Sequence, residues 1–466
     1  HRQHRPFALM VRDLEAAREI VQFGPVERAL LTSPARPIVL LTRVPSGRIA
    51  ASVAPGAGTL GVMLPYTPLH TLLLEAFDGP LVMTSGNLTD EPIAFQDADA
   101  AVRLAGVADR VLGHDRGIRT RVDDSVVKVV NGRIVPIRRS RGYVPGPVLL
   151  PIRSPVPILA CGAALKNTFA LVREEQAFVS HHIGDLADHR TYESYLDGIS
   201  HLEQLLDISP AVLGHDLHLD YPSTRYAENR SGVRLMAVQH HHAHIASCLA
   251  DNGSSARVIG VAFDGLGLGS DGNAWGGEFL IADLHDFSRE AFLCPVPMPG
   301  GDAATRQPWR MAASHLDAAF DGELPDLDVV RRQGSAWDQV LAVSRAGLNS
   351  PMTSSAGRLF DAVAAIVGVR DAVTYEGQAA IELEQLTDPA ELGSYPVDAT
   401  GQVIDVGVLV RAVVQDLRAD VSLPQIVARF HNALADIVLA ACLRLRTESA
   451  LSTVALSGGV FQNSVL

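Results

Sequence analysis

The chain has 466 residues, 47% hydrophobic and 20% charged, with a formal net charge of −13. The length suits about two to four units, each able to bury a core. The acidic balance argues against a nonspecific grip on nucleic acid or a membrane surface.

Residues 1–150 alternate short apolar runs with helical patterns. "RPIVLL" (Arg36–Leu41), "GPLVMTSGN" (Gly79–Asn87) and "SVVKVV" (Ser125–Val130) predict strands. "DLEAAREIVQF" and "DADAAVRLAG" predict helices capped by Asp13 and Asp97. The sum is an α+β first domain. "TSGN" (Thr84–Asn87) offers hydroxyls and an amide at a strand end, although an ordinary turn explains it equally well. From His114 to Arg141 the chain carries seven Arg, one Lys and three Asp, a formal +5. That is either an anion site or a solvated basic face.

The proline-rich stretch Pro145–Pro157 predicts a domain boundary. Beyond it, residues 156–466 alternate strands and helices, which predicts an α/β architecture with at least one doubly wound sheet. From about residue 300 the pattern is mostly helical and leads to the amphipathic "NALADIVLAACLRL" (Asn432–Leu445) and the strand in "TVALSGG". A boundary near residue 295 divides this region into lobes 156–295 and 296–466.

Four cysteines, Cys161, Cys248, Cys294 and Cys442, form no CxxC pair. This argues against a disulfide framework or a zinc finger within this span and fits a reducing, cytoplasmic setting. No signal peptide and no apolar run long enough to span a bilayer is read. The start at His1 and the stop after "ALSGGVFQNSVL" lead us to expect a piece of a longer protein.

"VQHHHAHIASCLA" places His240, His241, His242 and His244 in five residues. On a helix, His240 and His244 share a face, the spacing two imidazoles need to reach one metal ion. A cluster of structural histidines is the plain alternative. Asp264 closes a buried-type strand and is the first choice of carboxylate partner; Asp271 is the weaker one. Three glycine turns follow apolar strands: Cys161–Thr168 with Lys166, Phe263–Gly272, and Leu456–Asn463. Together they predict a nucleotide clamp of the actin/sugar-kinase/Hsp70 type.

Thirteen segments, in order along nearly the whole chain, carry a resemblance. Among them are "LPYTPLHTLLL", "LVMTSGNLTDEPIA", "HDRGIRTRVDDSVV", "RRSRGYVP", "GAALKNTFAL", "HDLHLDYPSTRYA", "VQHHHAHIASCLAD", "FDGLGLGSDGNAWGGEF", "SSAGRLFDAVAA" and "ALSGGVFQN". The chain resembles the HypF family of hydrogenase-maturation carbamoyltransferases. The resemblance implies a YrdC-like domain over 1–150 and a TsaD-like, actin/Hsp70-superfamily domain of two lobes over 156–466. Family members also carry an acylphosphatase domain, a CxxC-rich zinc-finger region and a "PPNDGG"-like segment, none of which lies in this sequence. Arg5 stands where the family usually has Lys.

The implied chemistry is a relay from carbamoyl phosphate. Carbamate and ATP, with Mg, give carbamoyl adenylate, and the carbamoyl group then passes to the C-terminal cysteine of HypE for cyanide synthesis. By this resemblance His240, His244 and Asp264 bind a divalent metal, iron or zinc, and act in catalysis with Lys166. Nucleotide contacts fall to Gly162, Lys166, Asn167, Gly265, Gly267, Ser457, Gly458, Gly459 and Asn463. In the first domain they fall to Thr84, Ser85, Asn87, Arg121, Ser125, Arg138 and Arg141. His215, His241 and His242 receive no role. No membrane and no sequence-specific nucleic acid is expected as a partner, although YrdC-like domains can carry a basic RNA-binding-type surface.

Three other readings stand beside this one. A natural-product O-carbamoyltransferase has the same modules in reverse order. A small-molecule kinase leaves the histidines and the first domain unemployed. A nucleotide-binding remnant turns nothing over.

Overall fold

The computed structural model of the chain describes residues 5–45, 47–88 and 91–466. Two compact units emerge, 1–237 and 238–466.

The first unit holds two mixed sheets. One runs in the order Leu81–Met83, Ala8–Met10, Thr59–Met63, Ile38–Arg43, Val126–Val130, Arg133–Arg138, with Val21–Gln22 paired to Ile38–Arg43. Its core is formed by Leu9, Val39, Leu60, Val62 and Val127, all essentially inaccessible. Asp13 caps the helix Leu14–Arg18 by accepting from Glu15 N and Ala16 N. That helix is shorter than expected, because Val21–Gln22 turns back as a strand. Asp97 is not a cap: Gln96 occupies that position and Asp97 opens the helix Asp97–Arg103, where its charge faces the positive end of the helix dipole.

The second sheet runs Arg234–Val238, Val212–Asp216, Ile158–Ala160, Ala170–Arg173, Gln176–Val179, Val148–Leu149. The proline-rich boundary is therefore partly absorbed: Val148 and Leu149 pair with Ala177 and Gln176. Helix His189–Leu206 covers this sheet with Tyr195, Ile199 and Leu202.

The second unit is built on strand Val258–Leu268. Its first six residues are all buried, as expected for a strand covered on both faces. It pairs antiparallel with Ala274–Ala282 and parallel with Val454–Ser457, in the register Ala262 opposite Ser457. Strand Phe287–Leu293 extends the sheet. Helices Pro308–Ala319, Ala356–Ile366, Gly407–Arg418 and Leu423–Ser449 pack into one core with Phe263, Phe279, Trp337, Phe360 and Phe430.

Three expectations need correction. The lobe boundary near residue 295 is wrong: strands on both sides of it share one sheet, and the change of sheet falls between Val238 and Val258. The sheets are mixed rather than doubly wound, because each combines parallel and antiparallel pairs. Helix Leu423–Ser449 is long and apolar enough to cross a membrane, with a mean hydropathy of 1.6 over its best window. It is nonetheless a core helix, burying Ile426, Phe430, Leu434, Ile437, Ala441 and Leu445 at successive turns.

Candidate metal centre

The histidine segment forms helix His240–Asp251, and Gln239 sets its start. The Gln239 side chain accepts from His242 N at 2.8 Å and donates to Leu268 O at 3.1 Å, so one residue caps the helix and ties it to the end of strand Val258–Leu268. Below this first turn, Ile245 and Leu249 bury against Val258, Ala262 and Leu280.

His240 and His244, one turn apart, both aim Nε2 at Asp264 Oδ2, each at 3.3 Å. The donor atoms of the three residues all lie within 4.8 Å of one another. A distance of 3.3 Å is long for an N–H···O bond. It fits two ligands on adjacent corners of a tetrahedral ion, which bonds of about 2.1 Å place about 3.4 Å apart. The donor set suits a borderline divalent metal such as zinc or iron.

Asp264 Oδ1 accepts from Gly459 N at 3.0 Å, which leaves Oδ2 to the imidazoles. Burial works against the Asp264 charge, but the two histidines outweigh it and hold the carboxyl well below its usual range. The parallel pairing of Ala262 with Ser457 sets the Ser457–Gly459 turn, at the end of its strand, beside Asp264. Asp264 itself lies within strand Val258–Leu268, where the register with Ala274–Ala282 shifts between Phe263 and Gly267. Gly458 turns this corner with φ +105°, and any side chain there would collide with the Phe263 carbonyl. Ser457 Oγ lies 3.5 Å from His244 Nδ1.

The remaining candidates are placed as follows. Gly267 gives the rings of His240 and His241 room to approach the strand. The Gly265 carbonyl accepts from Ser355 Oγ, as does that of Asp264. Asn463 faces His431 Nε2 at 2.9 Å and caps Val465 N and Leu466 N. Asp271 stands apart from the centre, bonded to Asn273 N and Trp275 Nε1 and paired with Arg289. His241 packs between Gln239 and Trp275, and His242 binds Asp283 O at 2.8 Å.

In the first unit, Lys166 is exposed at φ +47° on the turn that begins at Gly162. Asn167 points inward and holds that turn through Cys161 O and Ala163 O. Thr84 is exposed; Ser85 bonds Asn87, whose amide closes the loop onto Leu88 O and Glu91 O. Ser125 is inaccessible and stitches Ser140 N to Arg141 O. Arg141 is a clamp: it bonds Asp124, Ala35 O and Arg36 O and lies over the Tyr66 ring. Arg138, 39% exposed, faces Asp123 at 3.8 Å. Arg121 is buried and reaches across to the second sheet's elements, donating to Ser194 Oγ and Ile183 O, both at 2.9 Å. His215, also in this unit, has its Nδ1 2.9 Å from Asp216 O.

The sequence reading missed Gln239, Glu278, Arg289 and Ser355. One signal was present: Glu278 is a lone charge inside the otherwise uncharged "NAWGGEFLIA" run, a rare arrangement unless the charge is paired.

Comparison with known proteins shows three family-model matches. Residues 1–140 match the Sua5/YciO/YrdC model (telomere recombination). Residues 153–251 match the HypF Kae1-like domain, and 260–466 match the second subdomain of the carbamoyltransferase Kae1-like domain. Carbamoyltransferase HypF2 of Cupriavidus necator is 41% identical over all of this chain and 63% of its own length. The HypF of Rhodobacter capsulatus is 42% identical, with 62% of its length covered. The chain thus spans a little under two thirds of these relatives. A HypF homolog of Cupriavidus necator is 40% identical over 66% of this chain and 82% of that protein. Among solved structures, full-length HypF in a phosphate- and nucleotide-bound form superposes with a TM-score of 0.95 at 40% identity. It matches 99% of this chain and 73% of that one. With such identity along its whole length, the chain belongs to the HypF family of carbamoyltransferases.

Proposed function

We propose that this chain is the adenylating and carbamoyl-transferring part of an ATP-dependent carbamoyltransferase of [NiFe] hydrogenase maturation, working in the cytoplasm. In the 1–140 region carbamate, made from carbamoyl phosphate, attacks the α-phosphorus of Mg-bound ATP, and pyrophosphate leaves. In the remainder, the thiolate of a HypE C-terminal cysteine attacks the carbamoyl carbon. The C–S bond forms, the bond to the adenylate oxygen breaks, and AMP departs.

One observation carries this reading: His240, His244 and Asp264 converge beside the Ser457–Gly459 turn, whose Gly459 amide bonds the Asp264 carboxylate. When bound, such an ion supplies Lewis-acid polarisation of a carbonyl or phosphoryl oxygen. The chain's own residues fix where that happens. The two histidines hold Asp264 ionised, Gly459 N orients it, and the capped helix presents both Nε2 atoms toward it. The exposed Lys166 and the half-exposed Arg138 are the cations we assign to phosphate.

The test reads two reactions of the protein. His244→Ala should abolish carbamoyl transfer to a HypE C-terminal peptide while carbamate-dependent pyrophosphate release continues. Loss of both reactions in a folded variant would overturn the division of labour.

A further inference from the structure

The Glu278 carboxylate is completely inaccessible, yet it makes four polar contacts. Its Oε1 accepts from Gly276 N at 3.1 Å, Gly277 N at 3.2 Å and Ser354 Oγ. Its Oε2 accepts from Arg289 Nε at 2.7 Å. The two oxygens lead in different directions. From Oε1, the path runs through Ser354 to its neighbour Ser355, whose hydroxyl holds the carbonyls of Asp264 and Gly265. From Oε2, it runs through Arg289, which lies over the Trp275 ring at 4.0 Å and the Phe292 ring at 3.7 Å. Arg289 also pairs with Asp271 at 3.2 Å, and Asp271 accepts from Trp275 Nε1 at 2.9 Å. Trp275 packs against His241, which sits edge-on to His240. One buried ion pair is therefore linked through Ser354 and Ser355 to Asp264 and through Trp275 and His241 to His240.

A buried pair gains little net stability over an apolar replacement, but removing one partner strands the other charge. Its distinct contribution is rigidity. An ion tolerates errors of only about 0.2 Å in ligand distance, and outer contacts of metal ligands typically alter affinity by about 10–100-fold.

We infer that Glu278 and Arg289 are positioning residues that fix the spacing between the His240/His244 helix and Asp264, and so set the affinity for a divalent ion. This rests on the metal-centre reading above. Glu278→Gln separates the two arms: an amide oxygen at Oε1 still serves Gly276, Gly277 and Ser354, whereas an NH2 group now opposes Arg289.

Co2+ titrated into the 466-residue chain is the probe, read by its visible absorption and by competition with a chelator. The unsubstituted chain should bind Co2+. Glu278→Gln should bind about 10–100-fold more weakly with altered d–d bands, at temperatures where its circular dichroism is unchanged. Unaltered affinity and bands in the folded variant would overturn the inference, even if its melting temperature fell. Should Glu278→Gln fail to fold, Asp271→Asn decides, since its amide oxygen still accepts from Asn273 N and Trp275 Nε1 while an NH2 group replaces the oxygen that pairs with Arg289. Weaker Co2+ binding there supports the hub, and unchanged binding overturns it. If the unsubstituted chain takes up no Co2+, the metal centre itself falls, and that failure is visible before any variant is made.

Discussion

Replacing Gly267 with alanine should cripple the metal centre without altering any of its three donors. A Cβ at Gly267 would stand 2.5 Å from His240 Cδ2 and 2.7 Å from both His240 Cγ and His241 Cε1. Carbon atoms rest at about 3.5–4.0 Å, so one partner must retreat by roughly 1 Å. The strand cannot easily do so, because Gly267 is in register with Trp275 and Gln239 holds the adjacent Leu268 carbonyl. His241 is confined by Gln239 and Trp275. His240 is left to move, and a shift near 1 Å exceeds the tolerance of a metal–nitrogen bond about fivefold. We expect divalent-ion affinity to fall by about 100-fold or more, and stability of the metal-free protein to fall by about 1–3 kcal/mol from overpacking. Chelator-competition titration and urea unfolding in EDTA separate the two effects. Unchanged affinity would show that His240 can retreat and still bind, so that the 3.3 Å separation is not the geometry of a metal centre.

Further expectations concern stability. Gly458→Ala forces a residue with a Cβ into φ +105° against the Phe263 carbonyl; it should cost about 1–3 kcal/mol in thermal unfolding, and an unchanged melting temperature would refute the close approach. His315 is 5% exposed, and burial pushes its imidazole down to about 4. The unfolded chain binds this proton near pH 6.5 and the folded chain near 4, so His315 contributes stability above about 6.5 that is lost as pH falls toward 4, about 3 kcal/mol in all. His315→Leu should flatten the fall in unfolding free energy between pH 7 and 4.5 by that order; an identical profile would place the acid sensitivity elsewhere. Arg121→Ala removes two 2.9 Å bonds, to Ser194 and to Ile183 O. It should destabilise residues 1–237 by about 1.5–3 kcal/mol per bond to the charged group and speed proteolysis in 139–157; unchanged cleavage would mean the link is dispensable.

Much of the centre was legible because it rests on short-range rules. The His240–His244 spacing follows from helix periodicity, and the structure joins both to Asp264. That residue is not the strand end expected of it, because the strand runs on through an irregular register to Leu268. The two later glycine turns likewise meet, because their strands pair in parallel. What stayed hidden depends on partners far along the chain. Nothing local announces that Arg121 and Arg141 satisfy backbone carbonyls rather than face solvent, or that Asn167 turns inward. The misplaced boundary near residue 295 has the same origin: the shift to helical composition lies there, but Ala274–Ala282 had already committed the following strands to its own sheet.

The bond between Gly459 N and Asp264 Oδ1 spans 195 positions. At about 5–20 residues per second, a ribosome needs roughly 10–40 s after making Asp264 to produce the amide that steadies it. Throughout that interval both imidazoles and the carboxylate already exist in the nascent chain. High-separation contacts of this kind form late, after the intervening helices have condensed. Ion captured early would meet three donors without the turn that orients one of them, so a well-ordered centre waits until the Ser457–Gly459 turn has been made.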